Sequence, residues 1–186
     1  MALTESNMLP LGVKAPDFTL PDTVSGEALS LNELAAEKAT VIMFICNHCP
    51  YVIHVLPEIR RLANDYQENG VEFIAISSND VLRYPADSPE AMTLFAKEQD
   101  FTFPYLYDES QDVARAYDAA CTPDFYVFDG ALNLAYRGRL DQSRPGNDQA
   151  LDGADLRQAI DAVLDGRAVS PVQYPSAGCG LKWKQA

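Results

Sequence analysis

Residues 40–45, Thr-Val-Ile-Met-Phe-Ile, form an unbroken run of β-branched and apolar side chains that ends directly on Cys46-Asn47-His48-Cys49. A short run with no polar residue alternating through it suits a strand buried on both faces. Beyond the cysteines, Val52, Val55, Leu56, Ile59, Leu62, Ala63 and Tyr66 recur at helical spacing with charged residues between them. That period predicts a long amphipathic helix, stopped by Asn69-Gly70. Residues 71–76 repeat the buried-strand pattern after a short turn. Strand, helix and strand at this separation predict a βαβ unit with a parallel strand pair. The two cysteines then sit where the first strand hands over to the helix.

The remaining pattern fits one α/β domain with extensions, as 186 residues allow. Residues 1–16 read as an N-terminal arm, 17–166 as the domain and 167–186 as a C-terminal tail. Extended pieces at 17–20 and 27–31 flank a turn, and 32–37 holds one or two helical turns. Ser88 is placed to cap a helix over 89–99 that has Pro89 at its first position. Residues 103–107 read as a short strand and 111–120 as a helix. Residues 125–128 and 132–136 flank Asp129-Gly130, a hairpin signal. A last amphipathic helix covers 154–164, closed by Gly166. The final twenty residues have no periodicity and many breakers, so they are expected to lie over the surface as a tail.

Charge narrows the function. Fourteen Lys and Arg against 27 Asp and Glu leave a net charge of −13. Such a surface repels phosphate backbones and anionic lipid, so neither nucleic acid nor membrane is an expected partner. Residues 1–10 have no basic and apolar leader pattern, and the expected compartment is the cytoplasm. Four cysteines are too few for a disulfide scaffold, and a close pair in such a chain reads as redox or metal chemistry. A four-ligand zinc site needs a second close pair, whereas Cys121 and Cys179 stand apart. No metal and no cofactor are expected.

A cysteine at a helix N-terminus has its thiolate stabilised by free backbone N–H groups and by the helix dipole. On that ground Cys46 is expected to be the exposed nucleophile. Cys49, one turn on, is expected to be the resolving thiol.

Four segments together resemble thioredoxin-fold redoxins of the alkyl hydroperoxide reductase/thiol-specific antioxidant (AhpC/TSA) group. They are Ala15-Pro16-Asp17-Phe18-Thr19-Leu20, the Cys46 to Val52 turn, Cys121-Thr122-Pro123-Asp124-Phe125, and the pieces Arg137 to Asp141 and Gly178 to Lys184. The resemblance implies a mixed central sheet flanked by helices, a cis peptide before Pro123, and thiol–disulfide chemistry. It makes Cys46, Cys49, His48 and Pro123 the catalytic candidates, and Asn47 and Thr122 the substrate-binding ones. Pro123 would then set a backbone edge beside the cysteines where a substrate strand pairs. The implied partners are protein or small-molecule disulfides and a thiol electron donor.

Departures from the family patterns shape the expected chemistry. Asn47-His48 replaces the Gly-Pro of thioredoxins, and a histidine there can stabilise the Cys46 thiolate and make the disulfide more oxidising. The plainer reading of His48 is an exposed turn residue. Thr40 replaces the buried acid of thioredoxins, the helix proline is displaced to Pro57, and His54 is read as solvated beside Glu58 and Arg61. Peroxiredoxins resemble the chain with Cys49 as peroxidatic thiol and Cys46 in their Thr position, but residues 120–123 lack the Arg that completes their site. A thiol peroxidase is therefore the alternative, and copper binding through the cysteines and His48 a second one. Cys121 and Cys179 are auxiliary thiols. The tail around Cys179, flanked by glycines and followed by Lys182, Trp183 and Lys184, is expected to fold back toward Cys121 or the cysteine pair.

Overall fold

The computed structural model of the protein describes residues 3–185. In chain order the elements are β1 (Leu3–Glu5), β2 (Thr19–Pro21), β3 (Ala28–Ser30), α1 (Leu31–Leu34), β4 (Ala39–Phe44), α2 (Pro50–Tyr66) and β5 (Val71–Ser77). They continue as α3 (Pro89–Glu98), β6 (Tyr105–Tyr107), α4 (Asp112–Ala116), β7 (Cys121–Thr122), β8 (Asp124–Asp129), β9 (Leu134–Gly138), α5 (Ala154–Leu164) and β10 (Ala177–Gly180). The main sheet has the order β6-β5-β4-β8-β9, with β4 central, parallel to β5 and antiparallel to β8. This is the α/β, thioredoxin-like arrangement that the sequence predicts.

Every residue of β4 is buried. Alternation sends Val41 and Met43 into one core with α2 and α5 residues such as Val52, Ile59, Leu156 and Ile160. Ile42 and Phe44 enter the other core, among Tyr117, Tyr126 and Phe128. The absence of polar alternation in 40–45 follows from this two-sided burial. Gly70 adopts φ 79° and ends the helical segment before β5, a backbone conformation that glycine accepts without strain. Among the described residues, no helix is long and apolar enough to cross a membrane.

Three expectations change. The helix expected over 111–120 is a single short segment, α4. Gln111 before it takes φ 67°, and its buried amide donates to the carbonyls of Ser78 and Lys182. His54, read as solvated, is half-buried with its Nε2 2.7 Å from Ser143 Oγ, and its neighbour Glu58 is buried beneath Arg157, at 2.6 Å, and Arg61, at 2.7 Å.

The largest change concerns the C-terminal segment. The segment around Cys179 folds back to the cysteine pair as expected, but not as a tail over the surface: residues 177–180 form the middle strand of a second sheet, β1-β10-β7. Cys179 pairs with Leu3 on one side and with Thr122 on the other. Ala-Gly-Cys-Gly has no hydrophobic period, so nothing local announces a strand. Its partners lie far away in sequence. Close approach explains the glycine: a Cβ at Gly178 would sit 2.0 Å from the Thr122 carbonyl oxygen. Beyond the strand, Lys182 N–H donates to Asn79 Oδ1 and Lys184 N–H to Gln111 Oε1, and Trp183 lies under the Arg115 guanidinium.

Beneath the second core lies a fully buried ion pair. Arg137 donates to Asp124 Oδ2 at 3.1 Å and stacks on Tyr126, with both charged side chains shut off from water. Burial pushes the Asp124 carboxyl up to about 7 against the pull of Arg137. Removing one partner strands the other charge, so Arg137→Leu is expected to destabilise the fold by about 3–5 kcal/mol. Combining it with Asp124→Leu should recover much of that loss in urea unfolding; a double variant as weak as the single one contradicts this account.

Candidate active site

The cysteine pair occupies the junction between β4 and α2. Ile45 N–H still bonds to Ile76 O, continuing the sheet by one residue, and the chain then turns. Cys49, not Cys46, is the N-cap of α2, with φ −72° and ψ 120°, and Pro50 is the first helical residue. Proline suits that position because the first N–H of a helix has no partner in any case. Cys46 is therefore outside the helix. The exposed nucleophile expected there is also absent: Cys46 is 1% and Cys49 0% exposed.

Three sulfurs gather at Thr122. Cys46 Sγ lies 3.6 Å from Thr122 Oγ1, Cys49 Sγ 3.3 Å from the Thr122 carbonyl, and Cys179 Sγ 2.7 Å from Cys49 Sγ. The Thr122–Pro123 peptide is cis. The backbone edge of Thr122 is already paired with Cys179 of β10, so the edge expected to receive a substrate strand is filled by the chain itself. Cys121 stands aside, its sulfur facing the carbonyls of Pro123 and Ser176, and burial pushes its thiol up.

A residue the sequence reading missed organises the other side. The fully buried Asp87 accepts from Asn47 N–H at 2.9 Å and from the Asn79 amide at 2.8 Å, and its Oδ2 lies 2.7 Å from His48 Nδ1. Asn47 is held further by the Ala86 carbonyl and by the Tyr105 hydroxyl, which donates to its Oδ1. His48 stacks flat on Tyr84, its ring centroid 5.7 Å away. Asp87 lies in the loop after β5, forty residues from Asn47. Only its nearness to the Ser88 cap marked it, and no spacing rule connects it to the cysteines.

These neighbours divide the charge between the sulfurs. The Cys46 thiol is pushed well up, first because it donates to Cys49, then by burial and by the Asp87 carboxylate. Cys49 is drawn down to about 5, chiefly by that same hydrogen bond from Cys46, with Cys179, Thr122 and the Val52 N–H adding to it against burial. The position at the helix N-terminus favours the same outcome. These directions favour the anion on Cys49, whereas the sequence places the nucleophile at Cys46. Cys179 is raised to about 12 by burial and by its hydrogen bond to Cys49.

Cys46, His48 and Asp87 also bring a thiol, a ring nitrogen and a carboxylate oxygen within 4.8 Å of one another. Such mixed donors suit zinc or copper. The hydrogen bonds to Asp87 and its short contact with His48 account for the same placement without an ion.

A family model described as the AhpC/TSA family matches residues 11–137, more than half of the sequence. The chain belongs to the AhpC/TSA family. Among curated relatives, the thiol–disulfide oxidoreductase ResA of Halalkalibacterium halodurans is 31% identical over 57% of this chain and 55% of its own length. A Mycobacterium tuberculosis protein named as a candidate peroxiredoxin is 29% identical over 63% of this chain and 69% of its own. This family member thus spans only about half the length of that ResA relative. Both names describe thiol-based oxidoreductases. An uncharacterised conserved protein from Geobacillus kaustophilus has a solved structure that is 55% identical, covers 100% of this chain and 98% of its own, and superposes with TM-score 0.98. Solved redox proteins at 20% identity still match with TM-scores of 0.63 and 0.66, a likeness in fold.

The charge assignment predicts a titration. In the fully reduced protein, thiolate ultraviolet absorbance should appear with a midpoint near pH 5 and vanish in Cys49→Ser. The folded-state value lies below the ordinary thiol value of about 8.5, so its contribution to stability is complete above that pH and is lost as pH falls through about 5. Asp87→Asn removes an anion beside Cys46 and should lower the Cys46 transition. A first transition that survives in Cys49→Ser and disappears in Cys46→Ser would return the charge to Cys46.

Proposed function

We propose that the chain is a thiol–disulfide oxidoreductase whose Cys46–Cys49 pair cycles between dithiol and disulfide. The observation that carries this reading is the gathering of both sulfurs on Thr122 at the β4–α2 junction, Cys46 Sγ 3.6 Å from its Oγ1 and Cys49 Sγ 3.3 Å from its carbonyl, with the anion favoured on Cys49. The Cys49 thiolate attacks one sulfur of a substrate disulfide, forming a mixed disulfide and releasing one substrate thiolate. Cys46 then attacks the Cys49 sulfur, its proton passing to the second departing thiolate. The products are two substrate thiols and a Cys46–Cys49 disulfide, which an external thiol donor reduces. Because β10 occupies the Thr122 edge and both sulfurs are buried, small disulfides fit this reading better than extended peptides. Four free thiols suit a reducing compartment such as the cytoplasm.

His48 is proposed to raise the potential of the pair by holding Asp87 and dispersing the carboxylate charge that faces Cys46. His48→Pro leaves that charge facing the sulfur, disfavours the reduced thiolate, and should lower the potential by about 30 mV in glutathione equilibration. An unchanged potential removes His48 from the mechanism.

The exchange itself is tested by trapping. In a chain with both Cys46→Ser and Cys179→Ser, Cys49 keeps no sulfur neighbour at its site and should accumulate a mixed disulfide with hydroxyethyl disulfide. Cys49→Ser should accumulate none and lose turnover. Trapping through Cys46 in Cys49→Ser would reverse the roles. The anionic Cys49 also supports a second reading, a thiol peroxidase, which predicts peroxide consumption faster than hydroxyethyl disulfide reduction.

A further inference from the structure

We infer that Cys179 is a third redox thiol, an internal resolving cysteine that forms a Cys49–Cys179 disulfide in exchange with Cys46–Cys49. The inference rests on the thiol–disulfide reading above and adds a residue to it. Cys179 Sγ lies 2.7 Å from Cys49 Sγ, so less than an ångström of movement separates the pair from a bond of about 2.05 Å.

The placement is built into the fold. Cys179 is 3% exposed, at the centre of a strand held on both sides, by Leu3 and by Thr122. The Leu181 N–H bonds to the Ala120 carbonyl, and the Lys182 carbonyl accepts from Asp80 N–H, which anchors the segment beyond the strand. Gly178 lets β10 approach Thr122 more closely than any side chain permits. A thiol fixed this close acts on the Cys49 sulfur at high effective concentration, and Cys121, directed at the carbonyls of Pro123 and Ser176, does not compete.

Two balanced steps follow. When Cys49 carries a mixed disulfide, the Cys179 sulfur attacks the Cys49 sulfur, the substrate sulfur leaves with the Cys179 proton, and Cys49–Cys179 results. When the pair is already Cys46–Cys49, the same attack moves the bond to Cys179 and the proton to Cys46, with no net oxidation. A disulfide held between Cys49 and Cys179 thus leaves Cys46, beside Asn47 and His48, as a free thiol in the oxidised protein.

The full chain tests this, with hydroxyethyl disulfide as substrate and diamide as oxidant. In Cys46→Ser, diamide should remove two thiols, and peptide mapping should find Cys49 joined to Cys179. The mixed disulfide trapped in the variant with both Cys46→Ser and Cys179→Ser should be released at least about tenfold faster when Cys179 is restored. Gly178→Ala, which forces β10 away from Thr122, should slow that release, while Cys121→Ser should not. The inference is overturned if Cys46→Ser keeps both thiols under diamide while the unmodified chain forms Cys46–Cys49; the oxidoreductase reading then stands. If Cys49 forms no disulfide with either partner, and no mixed disulfide, both readings fall.

Discussion

Two-sided burial of β4 is the constraint on which the other features depend. A strand whose every residue lies in one of two cores cannot slip by one position without exchanging Val41 and Met43 for Ile42 and Phe44. Its register with β5 and β8 is therefore firm, and so is the point where it ends. The turn that follows has only Ile45 to Cys49 in which to leave the sheet and enter α2. That brevity places Cys46 in the turn and Cys49 at the cap, within reach of Thr122 at the end of β7.

Electrostatics at the junction follow from which backbone and side-chain groups the turn exposes. Asn47 N–H points at Asp87 and not at a sulfur, so the carboxylate is drawn in beside Cys46. Cys49 is drawn the other way, its sulfur beside Cys179 and the Val52 N–H. His48 is held between Asp87 and Tyr84.

The second sheet joins β1, near the start of the chain, to β10, near its end, beside the cysteine pair. β10 enters between β1 and β7 and brings Cys179 to Cys49. Closure of the Thr122 edge by this strand changes what can reach the sulfurs, since a peptide must compete with backbone hydrogen bonds already made.

The sequence alone determined the βαβ unit, the placement of the cysteines at its first turn, the Ser88 cap of α3 and the hairpin of β8 and β9. Each depends on residues a few positions apart, where hydrophobic period and turn chemistry act directly. The resemblance added the cis peptide before Pro123. Tertiary structure decided the rest of the site. Ala177–Gly180 became a strand only because Leu3–Glu5 and Cys121–Thr122 offered hydrogen bonds on both sides, and four small residues carry no period to announce it. Asp87 became a site residue only when the loop after β5 folded over Asn47. The charge moved to Cys49 because helix capping and a distant carboxylate, neither visible as a local pattern, outweighed simple order along the chain.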